Sequence, residues 1–130
     1  MKKAYFAISY ANRKRFDKEV EALQRLFQAN NIELLVFVDK YNFAANEEKE
    51  MMKVAFEEID SADILIAELS TKSIGVGIEI GYAFAKHKPI FYLRKKGAEY
   101  STTAAGCSSF VIEYENELDL LEQVGRFVLA

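Results

Sequence analysis

Short apolar segments alternate with longer amphipathic segments along this chain of 130 residues. The apolar segments show no helical period, so we expect each of them to be a strand. They cover residues 4 to 9, 32 to 38, 63 to 69, 90 to 93 and 110 to 114. The second is nearly continuous Leu, Val and Phe, which is typical of a strand buried on both faces of a parallel sheet.

The amphipathic segments carry apolar residues at spacings of three and four, which predicts helices with one buried face. In the first of them, Phe16, Val20, Leu23 and Phe27 follow one another at such intervals. Helices are expected at residues 12 to 31, at residues 47 to 60, between residues 73 and 88, and at residues 118 to 128. The segments 39 to 46 and 94 to 109 are expected to be loops.

Strands that alternate with helices imply a parallel sheet covered by helices on both faces. With right-handed crossovers, the simplest arrangement is an α/β fold with a doubly wound sheet of five parallel strands in flavodoxin-like order. The length and a hydrophobic content of 51% suit one domain over residues 1–130. Because ligands bind at the carboxyl ends of such strands, we expect function in the loops at residues 9 to 13, 39 to 46, 70 to 77 and 94 to 106.

The charge balance narrows the choice of partner. The chain carries 17 Lys and Arg against 20 Asp and Glu, a formal net charge of −3, which argues against nucleic acid or an anionic membrane and favours a small molecule. No apolar run approaches the roughly 20 residues of a membrane-spanning helix, and we expect the protein in the cytoplasm. With Cys107 and His87 as the only residues of their types, we expect no disulfide, no metal site and no cofactor.

The strongest candidate site is SIGVGIEIG at residues 73 to 81, directly after the third predicted strand. Its glycines make G-x-G-x-x-x-G, one residue longer than the dinucleotide fingerprint, and no P-loop lysine follows. Glu79 is expected near the start of a helix, where free N–H groups and the helix dipole would hold its carboxylate ionised as a nucleophile or base. Ordinary matching of a carboxylate to the helix dipole explains the same position equally well.

Hydroxyl and basic residues in three of these loops suit an anion. Ser9 and Arg13 stand at the start of the first helix, where a phosphate is favoured, although N-capping explains Ser9 as well. Ser73 stands at the neighbouring strand end, and the fourth loop adds basic residues 94 to 96 and a hydroxyl-rich triplet that begins at Ser101. A phosphorylated small molecule is the ligand that these loops favour.

Five stretches of the chain together resemble a known family. They are YFAxS at residues 5 to 9, AD at 62 to 63, AE at 67 to 68, SxGVGxExG at 73 to 81 and SxxxxG at 101 to 106. They look like the 2'-deoxynucleoside 5'-phosphate N-hydrolases, within the nucleoside 2-deoxyribosyltransferase superfamily. This resemblance covers nearly the whole chain. It implies a flavodoxin-like homodimer that cleaves the N-glycosidic bond of a nucleoside monophosphate with retention, through a covalent glycosyl-enzyme.

The resemblance also implies a phosphate site. Ser9, Ser73 and Gly75 would bind the 5'-phosphate, and Ser101 would reach it from the partner subunit. Transferases that act on unphosphorylated nucleosides carry an aspartate in place of Ser73, which would repel a phosphate. The family has an arginine near the phosphate where this chain has alanine, and Arg13 would compensate for that change.

Glu79 would be the nucleophile, and Tyr5 would orient or stabilise its carboxylate. The family's aspartate that protonates the leaving base is replaced here by Ala55, and an alanine cannot donate a proton. Glu58, one helical turn further on, is the nearest carboxylate, although a solvated helix face accounts for it better.

Other functions stay open at this point. Ile8 stands where the family has glycine, and FAISYA at residues 6 to 11 also resembles the opening of a TIR domain, a signalling module that sometimes cleaves NAD. A nucleoside 2-deoxyribosyltransferase is a second alternative. A nucleotide-binding protein without catalysis, as Ala55 would allow, is a third.

Overall fold

The computed structural model, which describes residues 1–130, contains one sheet of five parallel strands. The strands are β1 (Lys3–Ala7), β2 (Glu33–Val36), β3 (Ile64–Glu68), β4 (Ile90–Lys95) and β5 (Phe110–Tyr114). Their order across the sheet is β2-β1-β3-β4-β5. The expected α/β class and flavodoxin-like strand order are confirmed.

Six α-helices lie on the two faces of this sheet and at its edge. They are α1 (Asp17–Ala29), α2 (Phe37–Lys40), α3 (Glu48–Ser61), α4 (Ile74–Ala85), α5 (Thr102–Cys107) and α6 (Glu117–Phe127). Buried residues of α1 and α6 pack on one face of the sheet, and buried residues of α3, α4 and α5 pack on the other. No helix combines the length and the apolar character that crossing a membrane requires.

The direction of winding changes between β1 and β3, which are hydrogen-bonded neighbours with Ala7 paired to Ala67. The chain leaves β1 toward α1 on one face and leaves β3 toward α4 on the opposite face. Neighbouring strands whose connections diverge in this way leave a crevice between their carboxyl ends. The loops after β1 and β3 therefore border the same crevice.

Two boundaries near this crevice differ from the sequence prediction. Residues Tyr10–Phe16 form a 3-10 helix, not the first turns of an α-helix. The prediction of a strand to residue 38 followed by a loop is also wrong, since β2 ends at Val36 and α2 follows. The Phe37 ring is 8% exposed and packs beside the rings of Tyr5 and Tyr41, so burial of this aromatic side chain favours the early turn.

The connection at residues 94 to 109 was predicted to be a loop, and this is wrong for its second half, where α5 forms. The Ser101 hydroxyl oxygen accepts a hydrogen bond from the Ala104 backbone N–H at 3.2 Å and so caps the helix. Ala104 is 5% exposed and packs in the core shared with α4. The buried Ala104 and the Ser101 cap thus stabilise a helix in a segment whose polarity predicts a loop.

Candidate active site

Glu79 lies in the second turn of α4, six residues after the helix cap at Ser73. The expectation that free N–H groups at the helix start would hold Glu79 ionised is therefore wrong, because such groups belong to the first turn. Its side chain is instead partly buried, and this burial raises the pKa of Glu79 to about 7. A hydrogen bond that Oε2 accepts from the Tyr5 hydroxyl opposes that rise.

Tyr5 is fully buried in β1. Burial and the neighbouring charge of Glu79 raise the pKa of Tyr5 well above its ordinary value, so the phenol keeps its proton and acts as a hydrogen-bond donor. A rigid donor at this position fixes the carboxylate against rotation. The structure therefore brings together the two residues that the sequence predicts to be the catalytic pair.

A cavity of about 220 Å³ lies beside Glu79, at the crevice between β1 and β3. Most of its lining is apolar, and its polar side chains are those of Ser9, Tyr10, Ser73 and Glu79. The apolar lining comes from Ala7, Ile8, Phe37, Val38, Met51, Met52, Ala55 and Val76. A flat apolar group fits these walls, while Glu79 is the one carboxylate that meets it.

Ser9 and Ser73 face this cavity from the ends of the two neighbouring strands. Each hydroxyl oxygen caps a helix: Ser9 accepts a hydrogen bond from the Asn12 N–H and Ser73 accepts one from the Val76 N–H, both at 3.3 Å. Both hydroxyl protons remain free to bind an anion. Gly75, in the first turn of α4, also lines the cavity, so the N-capping and the phosphate-binding explanations of these serines are compatible.

Arg13 is not brought to this cavity. Its guanidinium forms a bidentate pair with Asp39, with both N–O distances 2.9 Å, and a further ion pair of 2.7 Å with Asp17. It lines a separate cavity together with Asp39 and Tyr10. Its charge is thus balanced by two carboxylates of the same chain, which weakens its suitability for a phosphate.

Ser101 also lies outside the Glu79 cavity of its own chain. It borders a second cavity, of about 350 Å³, between α4 and α5, whose lining includes Ser73, Lys72 and Cys107. Ser73 is common to the two cavities. Within one chain, Ser73 therefore separates Ser101 from Glu79.

Ala55 is 1% exposed on α3 and lines the Glu79 cavity. Glu58 does not replace the missing acid. Burial opposes its ionisation, but hydrogen bonds from Lys3, Tyr41 and Lys40 outweigh this effect and lower the pKa of Glu58 to about 2. Its carboxylate is neither a proton donor at neutral pH nor a solvated surface group, as its 12% exposed side chain shows.

Sequence reasoning missed most of the apolar lining. Met51 and Met52 sit near the start of α3, and Phe37 and Val38 sit where β2 turns into α2. A helical spacing identifies Met52 as part of a buried stripe, but it does not distinguish a core from a cavity wall. The sequence pattern does not show that β2 ends at Val36. If the strand continued to residue 38, the side chains of Phe37 and Val38 would point in other directions.

A second buried Tyr–Glu pair lies on the opposite face of the sheet. The Tyr114 hydroxyl donates to Glu68 Oε2 at 2.6 Å, and the Ser70 N–H donates to Glu68 Oε1 at 2.7 Å. Glu68 is 5% exposed, and burial raises its pKa. This carboxylate has its hydrogen-bond partners within the protein and belongs to the core.

The five-stranded parallel sheet and the crevice between β1 and β3 define a flavodoxin-like α/β domain with its candidate site at the point where the winding reverses. The chain belongs to the nucleoside 2-deoxyribosyltransferase family, whose model matches residues 4–121. It is 52% identical over 46 residues to a proposed 2'-deoxynucleoside 5'-phosphate N-hydrolase 1 of Syntrophotalea carbinolica. That match spans 35% of this chain and 32% of the relative, so it covers about a third of that protein's length.

Solved structures show the same fold. The CMP N-glycosidase of Clostridium botulinum superposes with a TM-score of 0.78 at 23% identity, over 98% of this chain and 100% of that one. A conserved protein from Enterococcus faecalis V583 gives 0.74 at 23% identity, over 97% and 98%. The 2-deoxyribosyltransferase of Bacillus psychrosaccharolyticus gives 0.71 at 17% identity, over 92% and 90%. The family match favours a nucleoside or nucleotide ligand over the TIR alternative.

Proposed function

We propose that this chain hydrolyses the N-glycosidic bond of a nucleoside 5'-monophosphate and releases the free base and the sugar 5-phosphate. One observation carries the proposal: the partly buried Glu79 accepts a hydrogen bond from the Tyr5 hydroxyl and lines a cavity that Ser9 and Ser73 border. The family membership and the name of the Syntrophotalea relative support it. The CMP N-glycosidase of Clostridium botulinum has the same fold.

In this mechanism the ionised Glu79 carboxylate attacks the anomeric carbon and displaces the base, so that a glycosyl ester forms. Tyr5 holds the attacking oxygen in place and stabilises its charge before attack. A water molecule then attacks the same carbon from the side that the base has left, and the Glu79 carboxylate is restored. Two displacements at one carbon retain its configuration.

The 5'-phosphate is assigned to the end of the crevice formed by Ser9, Ser73 and Gly75. The first-turn N–H groups and dipole of the twelve-residue helix α4 favour an anion here. The two serine hydroxyls donate to phosphate oxygens, and their neutrality avoids the repulsion that a carboxylate would cause. Arg13 has a secondary role, since a phosphate would have to compete with Asp39 and Asp17 for its guanidinium.

A homodimer completes this site in the proposal, with the partner subunit's Ser101 reaching the phosphate. The outer face of α4 supports a dimer, because Ile74 is 86% exposed, Ile78 48% and Phe84 55%. Of these side chains, Ile74 lines the second cavity, which Ser101 also borders. Sedimentation velocity tests the dimer: Ile78→Lys should give a monomer, and Leu118→Lys, at an 80% exposed position on α6, should not.

The test of the chemistry is the release of free base, measured by chromatography, from a panel of ribo- and deoxyribonucleoside 5'-monophosphates that includes both uncharged and positively charged bases. Wild type should release base, and Glu79→Gln should lose at least about 10⁴-fold in rate. Mass spectrometry with a slow substrate should find the sugar phosphate on Glu79. If wild type releases no base from any member of the panel, the hydrolase proposal fails.

A second candidate is a nucleotide-binding protein without turnover, which the buried Ala55 favours. It would bind a nucleotide, measured by calorimetry, and release no base.

A transferase would be distinguished by formation of a new nucleoside or nucleotide when a second free base is added to the reaction. A TIR-like activity would be distinguished by cleavage of NAD in preference to monophosphates.

A further inference from the structure

Apart from Glu79 itself, the Glu79 cavity holds no carboxylic acid that can protonate a departing base, and the Tyr10 phenol on its wall is 83% exposed and belongs to a class of much weaker acids. Ala55 occupies the α3 position that faces it, and the nearest carboxylate on α3, Glu58, is ion-paired to Lys3 and Lys40. The Tyr5 phenol is already donating to Glu79. Serine hydroxyls are too weakly acidic to replace a carboxylic acid.

The absence of a donor has opposite consequences for neutral and for cationic bases. A neutral base that leaves without a proton becomes an anion, and an anion without partners is strongly disfavoured between apolar walls such as Met51, Met52 and Phe37. A base that is cationic before the reaction leaves as a neutral molecule. For such a base, attack by the Glu79 carboxylate removes one negative and one positive charge together, and low-dielectric surroundings favour that loss of charge.

We propose that the substrates are nucleoside 5'-monophosphates with a permanently charged base. The positive charge lies on the ring whose nitrogen is bonded to the sugar, as in a pyridinium or an N-alkylated purine. This inference rests on the proposed function and names its substrate class. Thioether and aromatic side chains suit the assignment, because sulfur and π faces accept a flat cationic ring more readily than aliphatic carbon does. In the bound state the carboxylate of Glu79 faces the cationic ring, and their attraction favours the ionised carboxylate that attack requires.

The step balances without an added acid. A bond forms between a Glu79 carboxylate oxygen and the anomeric carbon, and the bond from that carbon to the ring nitrogen breaks. Its electron pair stays on the nitrogen and neutralises the ring. In the second step a water oxygen attacks the anomeric carbon, the ester bond breaks, its electron pair restores the carboxylate, and the water proton passes to solvent.

The experiment uses two matched pairs of substrates with the full-length chain. The first pair is nicotinamide mononucleotide and its reduced form, whose dihydropyridine ring is uncharged. The second is 7-methylguanosine 5'-monophosphate and guanosine 5'-monophosphate. The kcat/KM for base release should favour the charged member of each pair by at least about 100-fold, the lower end of what a general acid supplies to a neutral base.

Charged bases also leave more easily without an enzyme, so the decisive comparison is with Ala55→Asp. This variant adds an acid facing the cavity and should lower the ratio of kcat/KM between the charged and the neutral member of each pair by at least about 10-fold. Ala55→Asn, which has nearly the same shape and no acidic proton, should leave that ratio within about threefold of the wild-type ratio. Thermal unfolding establishes that both variants fold.

Each outcome decides between the two proposals. A preference that collapses in Ala55→Asp supports the charged-base class. If wild type hydrolyses guanosine monophosphate within tenfold of its 7-methyl form, or if Ala55→Asp leaves the ratio unchanged, this inference fails and the hydrolase proposal stands. If no nucleotide of any kind is hydrolysed, both fail.

Discussion

The Tyr5 hydroxyl on β1 donates a hydrogen bond to Oε2 of Glu79 on α4, and the two residues are 74 positions apart in the chain. The sheet makes this contact possible because β1 and β3 are neighbours and α4 follows β3 directly. Burial and this hydrogen bond act on the carboxyl group in opposite directions, and burial prevails, so the pKa of Glu79 stands at about 7. The nucleophile proposed for this site therefore titrates near neutral pH.

The pH dependence of kcat/KM should follow this titration. Attack requires the ionised carboxylate, so kcat/KM should rise with unit slope below pH 7 and level off above it. Tyr5→Phe removes the hydrogen bond that lowers the Glu79 pKa, so the same curve should move to higher pH and its plateau should fall about 10- to 100-fold. A flat profile from pH 5 to 8 would contradict the role of Glu79.

Unfolding measurements test the same titration without a substrate. Because the pKa of folded Glu79 is raised, its protonated form stabilises the fold below the ordinary pKa, and this stabilisation is lost as pH rises through about 7. Glu79→Gln, which cannot ionise and can still accept from Tyr5, should therefore unfold like wild type at pH 4. At pH 8 it should be more stable by about 2 kcal/mol. Urea unfolding at the two pH values is the measurement, and an equal gap at both would refute it.

Ser73 offers a test of phosphate recognition in which the helix cap is preserved. Aspartate and asparagine both cap helices well, so Ser73→Asp and Ser73→Asn should keep α4 in place. The aspartate charge should weaken binding of a 5'-monophosphate at least tenfold relative to asparagine. Binding of the corresponding nucleoside should differ little between the variants, as calorimetry can measure. Equal losses for nucleoside and nucleotide would point to a packing defect instead.

Glu58 is predicted to stabilise the fold and to take no part in proton transfer. Its lowered folded pKa means that its stabilisation is present above about pH 4.5 and is lost as pH falls to about 2. Glu58→Gln should cost about 2 kcal/mol of unfolding free energy at pH 7, since it leaves the largely buried Lys3 without its carboxylate. The difference from wild type should shrink toward pH 2. Base release that falls 100-fold or more in a folded variant would make Glu58 the missing acid.

The periodicity of the sequence predicts the sheet and four of the helices because local patterns record which faces are buried. It predicts α2 and α5 poorly, since these short helices depend on contacts with distant residues, such as the Phe37 ring against Tyr5. The same limit applies to the site. A sequence shows Arg13 beside a helix start, but it does not show that Asp39, 26 positions away, forms a bidentate ion pair with its guanidinium.

Ala55 illustrates what a single sequence can reveal about a cavity. The sequence resemblance implies an aspartic acid in the family where this chain has Ala55, and this alone suggests a defective enzyme. The structure adds that the surrounding walls are apolar and that Glu58 is ion-paired. Together these observations favour a substrate whose base can leave without being protonated.

The Tyr114–Glu68 pair on the other face of the sheet matches Tyr5–Glu79 in composition and in the direction in which burial moves the carboxyl pKa. Glu79 borders the cavity of about 220 Å³, with Ala55 as part of the wall, and Glu68 does not. Glu68 is thus a second tyrosine-bonded glutamate in the same protein, with no part in the proposed reaction. The rates at which a small carboxyl-modifying reagent reacts with Glu79 and with Glu68 can be compared in the same sample. The comparison would distinguish the effect of a raised pKa on reactivity from the effect of access through a cavity.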